Sequence, residues 1–245
     1  MDSLNGSVVL VTGAGRGIGR AIAVECARQG AKVAAQEISP VNLDETMELL
    51  RSAGSTCIEL IGDMSKKMQV QSMIEEAREE LGEIDILINQ ASVAPAVDLL
   101  AIDEWDWDRT LGVNLKGFFL TIQSVGRLMA DRRRGLIVNV MIPPTRYVTS
   151  KDYPAYAVSA AGVRELTRQA GRELSPHGIQ IFGVEAARRQ KEPHSSGEDK
   201  GEDLTWWQHE PHIFASALLD LCTQSGQIDP GSVLVVERDG SAHPK

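Results

Sequence analysis

Seven short apolar runs recur along the chain, and between them apolar residues repeat at helical spacing. The runs are SVVLVTG (7–13), AKVAAQE (31–37), CIELIGD (57–63), IDILINQ (84–90), GLIVNVM (135–141), GIQIFGV (178–184) and GSVLVVE (231–237). Each is short, rich in Val and Ile and bounded by turn residues, which predicts strands. The intervening stretches, such as RAIAVECARQG (20–30) and QVQSMIEEAREELG (69–82), predict amphipathic helices. Strands that are apolar on both faces and alternate with helices predict a parallel sheet covered on both sides. Right-handed crossovers make that sheet doubly wound.

Seven such strands in 245 residues, 42% of them hydrophobic, predict a single α/β domain over 1–245. One stretch departs from the pattern. RRQKEPHSSGEDKGEDLT (188–205) is polar and charged, and reads as a flexible loop. The formal net charge is −9, which argues against a nucleic-acid partner. The run Arg132-Arg133-Arg134 reads as a solvated helix end. Cys26, Cys57 and Cys222 are scattered and odd in number, as in a reduced cytoplasmic protein. No charged-then-apolar leader opens the sequence, and no apolar run nears the ~18 residues of a membrane span.

Residues 12–20, TGAGRGIGR, follow the first strand and open the first helix. In that context glycines have physical roles. Gly13 permits a tight turn, Gly17 lets the backbone approach a pyrophosphate, and Gly19 allows close helix packing. The helix N-terminus then offers free N–H groups to phosphate. The pattern predicts a Rossmann-type nucleotide site. Glu37, ending the second strand, is placed to accept both ribose hydroxyls and to repel a 2′-phosphate, which favours NAD over NADP. Arg16 points the other way, since a guanidinium pairs with phosphate. Asp63 ends the third strand, either as an acceptor for an adenine amino group or as a helix cap.

The stretch YVTSKDYPAYAVSA (147–160) offers two candidate catalytic tyrosines. Tyr147 has Lys151 four residues on, and Tyr156 has Ala160. Pro154 suits the first turn of a helix, so the helix is expected to begin near Tyr153, leaving Tyr147 and Lys151 in the loop before it. Only Tyr156 and Ala160 then share a helix face.

TGAGRGIGR, IDILIN, VNLKGFFLT, GLIVN, YAVSAAGVRELTRQAGRELSPHGI and GSVLVVERDG together resemble the short-chain dehydrogenase/reductase family, over nearly the whole chain. The closest flavour is the 3-oxoacyl carrier-protein reductase or hydroxyacyl-CoA dehydrogenase type. The resemblance implies hydride transfer between a nicotinamide and an alcohol/carbonyl pair. It implies cofactor contacts at Gly13, Arg16, Gly17, Ile18, Gly19, Glu37, Asp63, Met64 and Asn89. It also makes Tyr156 the tyrosine and Asn114, in VNLKG, a member of the catalytic set. The family lysine, which lowers the tyrosine pKa from ~10 and holds the nicotinamide ribose, is replaced by Ala160. The family serine falls near Ile142, in a stretch without a hydroxyl, and Thr145 is the nearest substitute. Losing one such donor typically costs about 10² to 10³ in rate. The family N-N-A-G reads Asn89-Gln90-Ala91-Ser92, and its Pro-Gly after the sixth strand reads Ala186-Ala187.

The adenosine half therefore keeps its motifs while the nicotinamide half has lost four. Three functions follow. The first is a catalytically inactive subunit assembled with an active NAD-dependent homologue, in a homo- or hetero-tetramer through helices four and five, where Ala157, Ala160, Ala161 and Gly162 permit close approach. The second is an oxidoreductase with a variant site. The third is an NAD(H) sensor. His209 and His212 flank Pro211 and lack a third ligand, so no metal is expected. Trp107 reads as packing. Trp206 and Trp207 either cap the substrate cleft or meet a partner.

Overall fold

The structure is a computed structural model that describes residues 4–142, 153–187 and 206–245. Eight strands form one sheet in the order β3-β2-β1-β4-β5-β6-β7-β8. They are β1 (Val8–Thr12), β2 (Lys32–Glu37), β3 (Cys57–Ile61), β4 (Ile84–Asn89), β5 (Gly135–Met141), β6 (Ile179–Ala186), β7 (Val233–Val236) and β8 (Ala242–Pro244). The first seven are parallel, as the apolar runs predict, and β8 runs antiparallel to β7. The seven expected parallel strands are all present, and β8 adds an antiparallel edge. β8 has three exposed residues and no apolar alternation, so it carries no strand signal of its own. Its turn does carry one: Asp239-Gly240, with Gly240 at φ +82°, brings the chain back on itself.

The helices are α1 (Gly17–Arg28), α2 (Pro40–Ser52), α3 (Lys67–Leu81), α4 (Glu104–Leu111), α5 (Phe118–Arg132), α6 (Pro154–Leu174), α7 (Trp206–His209) and α8 (Pro211–Thr223). Alternate strand residues feed two cores. Val9, Val11, Ile86, Ile88, Phe182 and Val184 share one with apolar residues of α1, α2 and α8. Leu10, Leu87, Ile137 and Ile181 share the other with those of α3, α5 and α6. Trp206 and Trp207 belong to the first core. Their rings meet edge to face at 6.1 Å, and both are buried, which removes the expectation that they cap a cleft or meet a partner. Cys26 and Cys222 are buried there too. Burial pushes the Cys222 thiol up to about 12 and raises that of Cys26 as well.

The arginine run ends α5 with Arg133 in the left-handed conformation. Arg132 is more than a solvated end, since its guanidinium donates to the Ile84 carbonyl at 2.6 Å. The expected fourth helix is α4 and α5 joined by a π-helical stretch, Gly112–Gly117, which contains Asn114. Strand order reverses between β1 and β4, and a ligand of such a sheet binds beyond the strand ends at that point. The stretch 188–205 and the pair Tyr147/Lys151 lie outside the described residues.

Candidate functional site

The glycine turn lies at the reversal. Gly13 (φ +70°) and Gly17 (φ +55°) are left-handed, a conformation that side chains resist. A Cβ on Gly19 would overlap the Gly13 carbonyl oxygen, so α1 packs directly on the turn that precedes it. Beside Gly17 a Cβ would meet nothing, and there the backbone faces open space. Arg16 caps α1 in extended conformation without a side-chain hydrogen bond, and the first turn contains no acidic residue. The N–H groups of that turn are therefore free of an internal cap, as an anion site requires.

Several residues that hold the turn were not singled out from the sequence. Gln36, buried in β2, accepts from the Gly13 N–H at 3.2 Å and donates to the Gly62 carbonyl at 2.8 Å. Arg20 donates to the Gly15 carbonyl at 2.6 Å and to Thr46 at 3.0 Å, and pairs with Glu45. The hydroxyl of Thr12 accepts from the N–H groups of Gln90 and Ala91 at 2.9 and 3.1 Å, which joins the ends of β1 and β4. Gly15 is the fourth necessary glycine, because a Cβ there would stand 2.7 Å from the Glu37 carboxylate.

These elements border a cleft of about 250 Å³ whose lining includes Gly13, Arg16, Glu37, Asp63, Met64 and Val113. Glu37 sits at its edge with one oxygen accepting from the Ile38 N–H at 2.9 Å. Asp63 is not the cap of α3, which is Lys66. Its carboxylate closes an Asx turn on the Ser65 N–H at 2.8 Å. Two of the expected contact residues have buried side chains. The Ile18 side chain is in the core. Asn89 is buried beneath the cleft, accepting from Thr121 at 2.7 Å and donating to Asn139 at 3.0 Å, and Asn139 in turn donates to Thr167 of α6 at 2.8 Å.

The other half of the site lies at the start of α6. Tyr153 caps the helix and Pro154 opens it, where the sequence expects the helix to begin, so Tyr156 and Ala160 both lie on it. Tyr156 and Ala160 are both buried and cluster with Tyr153 and Ala94. The Tyr156 hydroxyl donates to the Ile142 main-chain carbonyl at 2.6 Å. Asn114 is doubly bound to Val93, accepting from its N–H and donating to its carbonyl, each at 2.8 Å. Ser159 donates to the Tyr156 carbonyl at 2.8 Å. Among the described residues, the space between these groups is about 20 Å³.

Of the small residues expected on a partner surface, Ala160 faces Tyr156 instead, and Gly162 receives Leu115 of its own chain. Among the described residues no cluster could hold a metal, and no helix is long and apolar enough to cross a membrane. Glu210, between the two histidines, pairs with Arg238 at 2.8 Å.

A chain with this glycine turn, reversal point and tyrosine helix has many counterparts. The crystal structure of a metagenomic short-chain oxidoreductase in complex with NADP superposes with a TM-score of 0.78 at 26% identity, covering 96% of this chain and 98% of that one. The 3-oxoacyl-[acyl-carrier-protein] reductase FabG of Thermotoga maritima is 34% identical over 181 residues, 74% of this chain and 73% of that protein. The (2S)-[(R)-hydroxy(phenyl)methyl]succinyl-CoA dehydrogenase subunit BbsD of Thauera aromatica is 33% identical over 174 residues, 71% of this chain and 69% of that protein. The short chain dehydrogenase pattern itself matches residues 7–188, from the first strand through the tyrosine helix and the sixth strand, and the chain therefore belongs to that family of oxidoreductases.

Proposed function

We propose that this chain is the non-catalytic member of an oxidoreductase assembly, paired with an active NAD-dependent homologue that acts on hydroxyacyl thioesters of CoA or carrier protein. The observation that carries the proposal is the Tyr156–Ile142 hydrogen bond. A nicotinamide supplies hydride in this family, and the chain must supply a proton to the carbonyl oxygen. A phenol that donates to a main-chain carbonyl has its proton engaged within the chain rather than offered to a substrate oxygen. Ala160 brings no charge to oppose that, and Ile142 brings no hydroxyl for a substrate oxygen.

The adenosine side supports cofactor binding. Left-handed Gly13 and Gly17, Gly15 and Gly19 where a side chain would collide, a helix N-terminus without an internal cap and the cleft beside Glu37 suit an adenosine pyrophosphate. Glu37 favours NAD, and Arg16 in the same lining is the cation that would pair with a 2′-phosphate. The thioester class follows the names of the two relatives, one of them a subunit by name. Exposed Trp105, Phe119 and Val158, on α4, α5 and α6, support a partner surface.

Native mass spectrometry of the complex isolated from its own cell tests the assembly. A heteromer containing a homologue with intact tyrosine, lysine and serine is expected, and a pure homo-oligomer would remove the proposal. The relatives named as reductases favour a second reading, turnover by this chain itself. NADH oxidation with a 3-oxoacyl thioester, present in the wild type and lost in Tyr156→Phe, would establish it.

A further inference from the structure

We infer that Arg109 is a further contact of the adenosine site, positioned toward the base by Trp105. The inference rests on the nucleotide-binding part of the reading above, and Arg109 is not among the contacts that the family resemblance implies. The cleft runs from the glycine turn after β1, past Glu37 at the end of β2, to Asp63, Met64 and Ser65 after β3. Phosphates lie on the turn and a ribose at Glu37, so the base lies beyond, toward the loop after β3. That end is walled by α4 and the π-helical stretch, which pack closely on the loop. A Cβ on Gly112 would stand 3.3 Å from Ser65, and one on Gly117 would stand 3.2 Å from Met64. This wall adds two residues to the lining, Val113 and, about one turn before it, Arg109.

Trp105 stands a further turn back on α4. The Arg109 guanidinium lies 5.1 Å from the centre of its ring, a cation–π contact that restrains a long side chain. Asp63 and Asp108 border the groove that Trp105 and Arg109 share, yet among the described residues neither pairs with Arg109. Its donors are therefore open to a ligand. The other charged groups of the lining are Arg16 beside the turn and the carboxylates Glu37 and Asp63. An adenine at this end meets a planar cation and, beside it, the apolar Val113. The diphosphate lies at the opposite end of the cleft. Arg109 thus adds affinity through the base rather than through the phosphates, and Trp105 acts through Arg109 as a positioning residue.

Calorimetry with ADP and UDP on the full chain tests this, since the two share ribose and diphosphate and differ in the base. The wild type is expected to bind ADP more tightly. Arg109→Met should weaken ADP about three- to tenfold and UDP by less than about twofold. Arg109 is exposed, so the variant should unfold at the wild-type temperature, which a thermal scan checks. Trp105→Ala should narrow the preference for ADP over UDP in the same direction, a change that a purely structural role would not produce. An Arg109→Met variant that binds ADP as the wild type does, or that loses both nucleotides by one factor, would overturn the inference while leaving nucleotide binding intact. Binding of neither nucleotide to the wild type at millimolar concentration would overturn both.

Discussion

Cys222 shows how one side chain ties stability to solution conditions. Its thiol is held neutral by burial, with its titration moved from 9.0 to about 12. An unfolded thiol ionises at ordinary pH values, so above about pH 9 the unfolded state sheds a proton that the native state keeps. The stabilisation is complete below the unfolded value and is lost as pH rises toward the folded one. Cys222→Ala should remove that slope, so the stability gap between wild type and variant should shrink by about 1.4 kcal/mol per pH unit above pH 9. Urea unfolding at pH 8 and pH 10 measures it. At this scale the sequence was a partial guide. Gly13, Gly17 and Gly19 were legible because their spacing follows a strand and opens a helix. Gln36, Thr12 and Gly15 were not, because their roles come from contacts with residues far along the chain. The partners of the Asn89 amide were not legible for the same reason. Its position in a motif says nothing of the side of the strand end on which its amide lies.

Helix α6 shows the same division between elements. Its start was legible from Pro154, and its catalytic face from the spacing of Tyr156 and Ala160. The device that holds it to the sheet was not: Asn89, Asn139 and Thr167 form a buried hydrogen-bonded line from β4 through β5 to α6. Thr167→Val keeps the shape but leaves an Asn139 donor unmet, which should cost about 1–3 kcal/mol. Urea unfolding, with Val163→Ala as a packing control, checks the value. A destabilisation below that range would mean the line is not strongly coupled. The π stretch around Asn114 has no periodicity of its own and reads as ordinary helix. β8 hides because a strand of three exposed residues leaves no pattern.

The whole molecule has the family fold. Its surface carries Trp105, with Arg109 stacked 5.1 Å from the ring centre, Phe119 in the same groove, and an exposed Val158 on α6. If this face meets a partner, the double substitution Phe119→Glu and Val158→Glu should weaken assembly at least about tenfold and leave thermal unfolding of the isolated chain unchanged. Sedimentation at a range of concentrations reads the first and calorimetry the second. Unchanged assembly would mean that no partner sits on this face. The contact between Tyr156 and Ile142 also sets what one new charge could do. Ala160→Lys would bury an ammonium beside Tyr153 and Ala94, at a position 9% exposed, while the phenol still donates to the main chain. A lysine at this one position would therefore cost stability before it could serve chemistry.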